Sequence, residues 1–252
     1  MAFVKVRGLK KLQKKLQAYP KQAAFAMSLA LNETAKNIQH AQKAELKKVF
    51  KNPTRWTVNG FRIRYAKRNR LLAKVFFKNE YQSGGNSNAE EYLMPHIKGG
   101  GRKLKNSERL FQRAGVLPMG MYMVPGKGVE TNAHGNVKAG TINKMLSYFK
   151  AFPEAGYRAN ITDEKRARQA KGTKKKYGVA YFVGRPGGAP LGIWRRINAG
   201  FGTEIRPMFI FVRTPKYRKR YNFDGVTERT FDRRFNLNFK RSMVKTLRTM
   251  RK

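Results

Sequence analysis

Residues 21–50 read KQAAFAMSLALNETAKNIQHAQKAELKKVF, a run of thirty residues without a glycine or a proline. Alanine is abundant in it, which favours the α-helix over other backbone conformations. The larger apolar side chains recur at helical spacing, at Met27, Leu31, Ala35, Ile38, Leu46 and Val49. Asn52-Pro53 ends the run, because a residue that precedes proline disfavours the α region. We therefore predict one long amphipathic helix over Lys21–Phe50.

A second apolar stripe closes the chain, with Phe231, Phe235, Phe239, Met243 and Leu247 at every fourth position. It predicts an amphipathic helix with a basic opposite face. Strands are predicted where apolar residues alternate or cluster, at 61–65, 71–77, 177–183, 192–197 and 205–213. A short helix capped by Ser107 is expected between them. The pattern predicts an α+β fold, in which both long helices pack on one antiparallel or mixed sheet.

The charge is uneven along the 252 residues, which hold 56 Lys and Arg against 14 Asp and Glu, a net charge of +42. Residues 1–80 carry 20 basic and 3 acidic side chains, residues 81–150 carry 10 and 4, and residues 151–252 carry 26 and 7. We predict a basic domain formed by 1–80 and 177–252, an inserted lobe at 81–153, and a basic linker or loop at 154–176. A composition of 40% apolar residues excludes a disordered polycation.

The sequence contains no constellation typical of an enzyme. Cysteine is absent, and the histidines His40, His96 and His134 are far apart. The close acidic groups read as helix starts or loop edges rather than as ligands converging on a metal ion. We expect no catalytic residues, no metal and no cofactor. The longest nearly apolar run, at 23–31, is far shorter than the roughly 20 residues that a membrane span needs, so no membrane partner is expected.

Two basic stretches are candidates for binding a polyanion. The first is a run predicted to be a solvated loop, and its cations are Lys165, Arg166, Arg168, Lys171, Lys174, Lys175 and Lys176. The second interleaves cations with aromatic rings, as Tyr217, Arg218, Lys219, Arg220 and Tyr221. Cations beside aromatic rings suit contacts to phosphates and bases. The first run is equally suited to an acidic protein surface or to solvent, and the tyrosines are equally suited to core packing.

Both ends of the chain resemble a family of viral proteins. The opening VRGLKKLQKKL (6–16), followed by AAFAMSLALNETAKNI (23–38), resembles minor tail protein Z of tailed bacteriophages and related tail-completion or neck proteins. The matching residues are Gly8, Leu9, Ala26, Met27, Ala30, Leu31, Asn32 and Ala35. GIWRRI (192–197), IRPMFIFVRTP (205–215) and the basic end LRTMRK also fit the family pattern. The resemblance covers residues 1–80 and roughly 177–252, whereas 81–176 depart from it.

The resemblance implies a structural role without enzymatic residues. The chain would be a virion protein at the neck or upper tail, made and assembled in the host bacterial cytoplasm. It would act in tail completion or head–tail joining as part of a homo-oligomeric ring, in contact with other neck and tail proteins, and its positive charge would face packaged double-stranded DNA, acidic partner proteins or both. The alternative is a stand-alone, sequence-nonspecific nucleic-acid-binding protein, such as a packaging or DNA-coating factor.

Overall fold

The computed structural model describes residues 20–78, 89–153, 159–173, 176–199 and 202–250. The chain divides into two compact units, and the second is inserted into the sequence of the first. The first unit comprises Met1–Gly99 and Arg218–Lys252, and the second comprises Gly100–Tyr217. Each unit has its own hydrophobic core.

The first unit is dominated by two long helices. Its elements in chain order are α1 (Pro20–Val49), α2 (Arg55–Val58), β1 (Phe61–Arg64), β2 (Lys74–Phe77), α3 (Ala89–Lys98) and, after the insertion, α7 (Phe223–Met250). Strands β1 and β2 form an antiparallel pair in which Phe61 lies opposite Phe77. The predicted long N-terminal helix and the amphipathic C-terminal helix are confirmed, and α7 begins eight residues earlier than its phenylalanine stripe indicated.

Helices α1 and α7 pack against each other along a buried contact that contains both apolar and polar side chains. Ala26 and Ala30 of α1 are completely buried, and Ala30 belongs to one hydrophobic cluster with Phe235 and Phe239 of α7. Small side chains at the contact allow two helices to approach closely. The Asn238 Nδ2 group donates to Thr34 Oγ1 at 3.0 Å, a buried polar contact that fixes the register between the helices.

The small sheet packs beside this helix pair. Phe61 and Phe77 contact each other and Phe223 of α7, with ring centroids 5.2–6.3 Å apart. The side chain of Asn32 on α1 holds the segment that follows β1, because it donates to the Ala66 carbonyl at 3.1 Å and accepts from the Ala66 N–H at 2.6 Å. The chain is therefore α+β, as predicted. The two long helices pack on each other and, as expected, on an antiparallel sheet, which is formed by β1 and β2.

The larger sheet belongs to the second unit. This unit contains α4 (Asn106–Arg113), β3 (Tyr122–Pro125), α5 (Ala139–Tyr148), α6 (Asp163–Lys171), β4 (Gly178–Gly184), β5 (Gly192–Ala199) and β6 (Gly202–Val212). The strands form an antiparallel sheet in the order β3-β6-β5-β4. Its core gathers completely buried side chains from a helix and two strands, among them Phe111, Ile193 and Met208.

The two ends of the second unit meet. The Gly100 N–H donates to the Tyr217 carbonyl at 3.1 Å, and the Tyr217 N–H donates back to the Gly100 carbonyl at 2.8 Å. Gly100 has a φ of +90°, which a residue with a side chain rarely adopts. The chain thus leaves the second unit beside the point where it enters it.

The observed boundaries correct the predicted domains. Residues 89–99 pack in the first unit and not in a lobe at 81–153, and residues 177–217 belong to the second unit and not to the flanking domain. The physical reason is strand pairing, because β3 from the middle of the chain pairs with β6, with Tyr122 opposite Val212. The predicted linker at 154–176 contains a helix at Asp163–Lys171. Helix α4 starts after Lys105, so Ser107 is not its cap.

Candidate polyanion-binding groove

The first part of the first predicted basic stretch, up to Lys171, lies in helix α6, where a solvated loop or linker was expected. Thr162 caps the helix, because its hydroxyl accepts a hydrogen bond from the Lys165 N–H at 3.4 Å. Asp163 and Glu164 in the first turn interact favourably with the positive end of the helix dipole. Gly172 ends the helix with a φ of +79°, a conformation that costs glycine little. Capping and end charges therefore give structure to a run whose composition alone suggested a loop.

Two glycines hold α6 against strand β4. A Cβ atom on Gly172 would overlap the backbone of Gly178, and a Cβ atom on Gly178 would overlap the Ala170 carbonyl. The Asn198 Nδ2 group on β5 also donates to the Ala170 carbonyl, at 3.2 Å. The end of α6 is therefore fixed on the sheet by close backbone approach and by a hydrogen bond.

Helices α5 and α6 and the sheet of the second unit line an open groove of about 1020 Å³. One wall is a face of α5, with lining residues Gly140, Asn143, Lys144 and Ser147. The other wall is a face of α6, with lining residues Lys165, Arg168, Gln169 and Gly172. The α5 residues follow the i, i+3, i+4, i+7 spacing of a single helix face, and Lys165, Arg168 and Gln169 follow the same spacing on α6 up to Gly172, which ends that helix. Val179, Tyr181 and Arg195 of the sheet also line the groove.

The charged side chains that line the groove are all cationic in the described part of the chain. The five cations Lys144, Lys165, Arg168, Lys176 and Arg195 line it, and no carboxylate does so among the residues that the structure describes. The nearby Asp163 forms an ion pair with Lys150 at 2.8 Å outside this lining. Hydrogen bonding to Lys150 and its positive charge hold the pKa of Asp163 below its usual range. The cations of the groove are thus left to attract an external anion.

Arg195 is the most informative of these cations. Its Nε atom is the one buried side-chain nitrogen or oxygen without a hydrogen-bond partner in the described part of the chain. A buried donor left without an acceptor costs roughly 1–3 kcal/mol. Arg195 lies directly opposite Tyr181 in the β4–β5 register, on the same face of the sheet. Burial raises the pKa of the Tyr181 hydroxyl, and the positive charge of Arg195 opposes that rise.

Aromatic side chains accompany the cations. Tyr177 lines the groove and is 67% exposed, and the half-buried Phe152 lines it as well. An exposed ring beside cations is the combination that binds the bases and phosphates of nucleic acids. The groove therefore offers both ionic contacts and an available aromatic face.

The other residues of the first predicted stretch lie apart from this lining. Arg166 stacks on the Tyr148 ring, with its guanidinium carbon 4.6 Å from the ring centroid. Lys171 is exposed and is not among the residues that line the groove. Lys174 and Lys175 lie outside the described residues.

The second predicted stretch is split between the two units. Tyr217 belongs to the second unit, where its backbone exchanges two hydrogen bonds with Gly100. Arg218 and Lys219 are exposed residues of the first unit. Arg220 stacks on the Phe50 ring at 4.7 Å and donates from Nε to His96 Nδ1 at 3.2 Å.

Tyr221 contradicts the predicted binding role. Its side chain is completely buried, and its hydroxyl donates to Gln42 Oε1 at 2.6 Å. Burial also raises its pKa far above the usual value. A buried ring whose hydroxyl is satisfied inside the protein is not available to stack on a base, so Tyr221 is a core residue.

The candidates predicted from sequence lack two of the five groove cations, Lys144 and Arg195, and the exposed ring of Tyr177. Lys144 and Arg195 lie outside the two dense basic stretches, so the density of cations in the sequence does not indicate them. Tyr177 follows directly after the basic run and was assigned to a strand. Its position beside Lys176 is the one sequence signal that indicated an aromatic partner for those cations.

The described residues contain no group of three or more His, Cys, Asp or Glu side chains placed to hold a metal ion. Within the same ranges, no helix is long and apolar enough to cross a membrane. Comparisons of the chain with known protein families, with curated proteins and with solved structures find no match.

Proposed function

We propose that this chain is a structural protein of a tailed-bacteriophage virion. It would act at the neck or upper tail, in tail completion or head–tail joining, as one copy in a ring. The observation that carries the proposal is the position of the resembling run on α1. Ala26, Met27, Ala30 and Leu31 are all buried, three of them in the cluster that contains Phe235 of α7.

Asn32, which also matches the family pattern, supports the same proposal. It lies beside that buried stripe and forms two hydrogen bonds with Ala66. The matched residues of the described part of α1 thus lie at its junction with α7 and with the small sheet. They carry the architecture of the first unit, which is what a structural family without catalytic residues would retain.

The large positive net charge of the chain supports a position in the virion beside an acidic partner molecule. A net charge of +42 on 252 residues strongly favours binding to polyanions and would oppose the close packing of copies unless an acidic partner compensated it. Packaged double-stranded DNA and acidic neck or tail proteins both provide that compensation. A ring in the virion would bring many copies of this basic surface to one such partner.

Two measurements on the phage that encodes this chain test the proposal. Quantitative mass spectrometry of purified particles should find the protein at a copy number near a multiple of six or twelve. Particles from a phage with the gene interrupted should contain filled heads that are not joined to complete tails. Complementation with the intact gene is the control. Absence of the protein from wild-type particles, or normal joining without it, would contradict the proposal.

The second candidate function is a stand-alone nucleic-acid-binding protein that binds without sequence preference. The specific observation in its favour is the groove, which five cations and no described carboxylate line. Such a packaging or DNA-coating factor would be bound to DNA in infected cells and missing from the finished particle. The same mass spectrometry, applied to both fractions, therefore separates the two functions.

A further inference from the structure

We propose that the groove of the second unit binds a single strand of nucleic acid. The phosphates would lie on the cations of α5, α6 and β5, and a base would stack on Tyr177. This inference goes beyond the proposed function, which requires contact only with duplex DNA or with an acidic protein, and it does not depend on it.

The distribution of charge identifies the ligand as a chain of anions. Lys144 lies on α5, Arg168 lies on α6, and Arg195 lies on strand β5 of the sheet. Because the cations come from three different elements, a ligand that pairs with all of them must carry several anionic groups. A phosphodiester chain carries one charge per nucleotide and would neutralise cations along the whole groove. Its oxygens would also bring hydrogen-bond acceptors to the guanidinium of Arg195, whose Nε has no partner in the described part of the chain.

Tyr177 distinguishes a single strand from a duplex. In a duplex the bases are paired and stacked on each other, so only phosphates would enter the groove and the ring would remain uncovered. A single strand presents unpaired bases, and stacking on an aromatic side chain contributes to binding whatever the base is. The 67% exposed ring of Tyr177 beside Lys176 is suited to this contact. An acidic peptide would match the cations but would make no comparable use of the ring.

The first test compares two variants of the full chain that lose the same charge. The groove variant is Lys144→Gln, Lys165→Gln and Arg168→Gln. The control variant is Arg113→Gln, Lys127→Gln and Arg213→Gln, three exposed cations of the same unit that do not line the groove. Binding of a fluorescent oligothymidylate of about twelve nucleotides is measured by anisotropy over a range of salt concentrations. A blunt duplex of the same length is measured in parallel.

The salt dependence gives the expected result. For single strands, each neutralised phosphate contributes about 0.7 to the slope of log affinity against log salt concentration. The groove variant should therefore lose about two units of slope for the oligothymidylate, whereas the control variant should lose much less. For the duplex, whose phosphates alone would contact these cations, the ring should not contribute, so Tyr177→Ala should leave the duplex affinity unchanged. Equal losses for the oligothymidylate in both variants would show that binding depends on overall charge and would overturn the proposal.

The second test concerns the ring. Tyr177→Ala should weaken oligothymidylate binding by about fivefold or more, because stacking on an aromatic ring is lost. Tyr177→Phe should retain binding close to that of the unaltered protein. Circular dichroism melting shows whether each variant is folded, and Tyr177 is exposed enough for both to keep the fold. An unchanged affinity in Tyr177→Ala overturns the proposal, as does displacement of the oligonucleotide by polyglutamate at equal charge concentration.

Discussion

The buried carboxylate of Glu108 in the second unit should be a major determinant of that unit's stability. Its side chain is 1% exposed and forms a two-pronged ion pair with Arg102, with both N–O distances 2.6 Å. It also accepts the backbone N–H groups of Lys105 at 2.7 Å and Met123 at 2.8 Å. One carboxylate therefore joins the start of α4 to strand β3.

Glu108→Gln tests this interpretation. The substitution keeps the shape of the side chain but removes the charge, which leaves the Arg102 guanidinium, itself only 10% exposed, without its counter-ion. Breaking a buried ion pair by removing one partner costs about 3–5 kcal/mol. Glu130→Gln is the matched control, because Glu130 is 79% exposed and its ion pair with Lys138 is long, at 3.6 Å. We expect that control to change the free energy of unfolding by less than about 1 kcal/mol.

The chain provides a convenient probe for the assay. Its two tryptophans are Trp56 in the first unit and Trp194, which is buried in the second. In a Trp56→Phe background, tryptophan fluorescence during urea unfolding therefore reports on the second unit alone. Equal unfolding midpoints for Glu108→Gln and Glu130→Gln would refute the reasoning.

The same carboxylate predicts a dependence on pH. Burial opposes its ionisation, but the hydrogen bonds from Arg102 and from two backbone N–H groups outweigh burial and lower the pKa of Glu108 from the usual value of 4.5. A group whose pKa is lower in the folded state stabilises the fold above its unfolded pKa and loses that contribution as the pH falls. The second unit should therefore lose stability below about pH 4.5. Glu108→Gln should lose less over the same range.

Three further substitutions have definite expected outcomes. Phe235→Asp should destabilise the first unit by at least about 3 kcal/mol in a thermal melt, because it creates a cavity and buries a charge. Leu237 lies on the same helix but is 39% exposed, so the control Leu237→Asp should leave the melt nearly unchanged. Gly178→Ala should lower the urea midpoint of the second unit, since its Cβ would overlap the backbone of α6; an unchanged midpoint would show that the groove wall is not held by this approach. Tyr221→Phe should cost roughly 1–3 kcal/mol in thermal unfolding, because it leaves the buried Gln42 oxygen without its donor, and a wild-type melt would contradict that network.

The helices of the first unit were predictable because their signals are local. The stripe on α1 and the stripe on α7 recur at three or four residues, and both are long enough to be recognised without tertiary information. The unit boundaries were not predictable, because they depend on which strands pair. The decisive strand, β3 at Tyr122–Pro125, has only four residues, and its partner β6 lies more than eighty residues away in sequence.

In the candidate site, too, the local signals were predictable from sequence and the contacts between distant segments were not. The density of cations in 165–176 is visible in the sequence, and its polyanion-binding role remains a prediction. The helical form of its first part depends on Thr162, and the groove depends on Arg195, whose position is set by its pairing with β4. For Tyr221 the sequence left binding and core packing open, because an aromatic residue within a basic run resembles an exposed one, and the structure shows core packing. Its partner Gln42 is 179 residues away in sequence.

The meeting of Gly100 and Tyr217 has a consequence for how the chain evolves. Backbones that exchange two hydrogen bonds in an antiparallel bridge are about 5 Å apart, a gap that a short turn spans. Residues 100–217 thus form a continuous insertion whose two ends lie side by side in the folded protein. A single deletion, duplication or exchange at that junction would remove or replace the groove, while every helix and strand of the first unit would still be encoded in the same order.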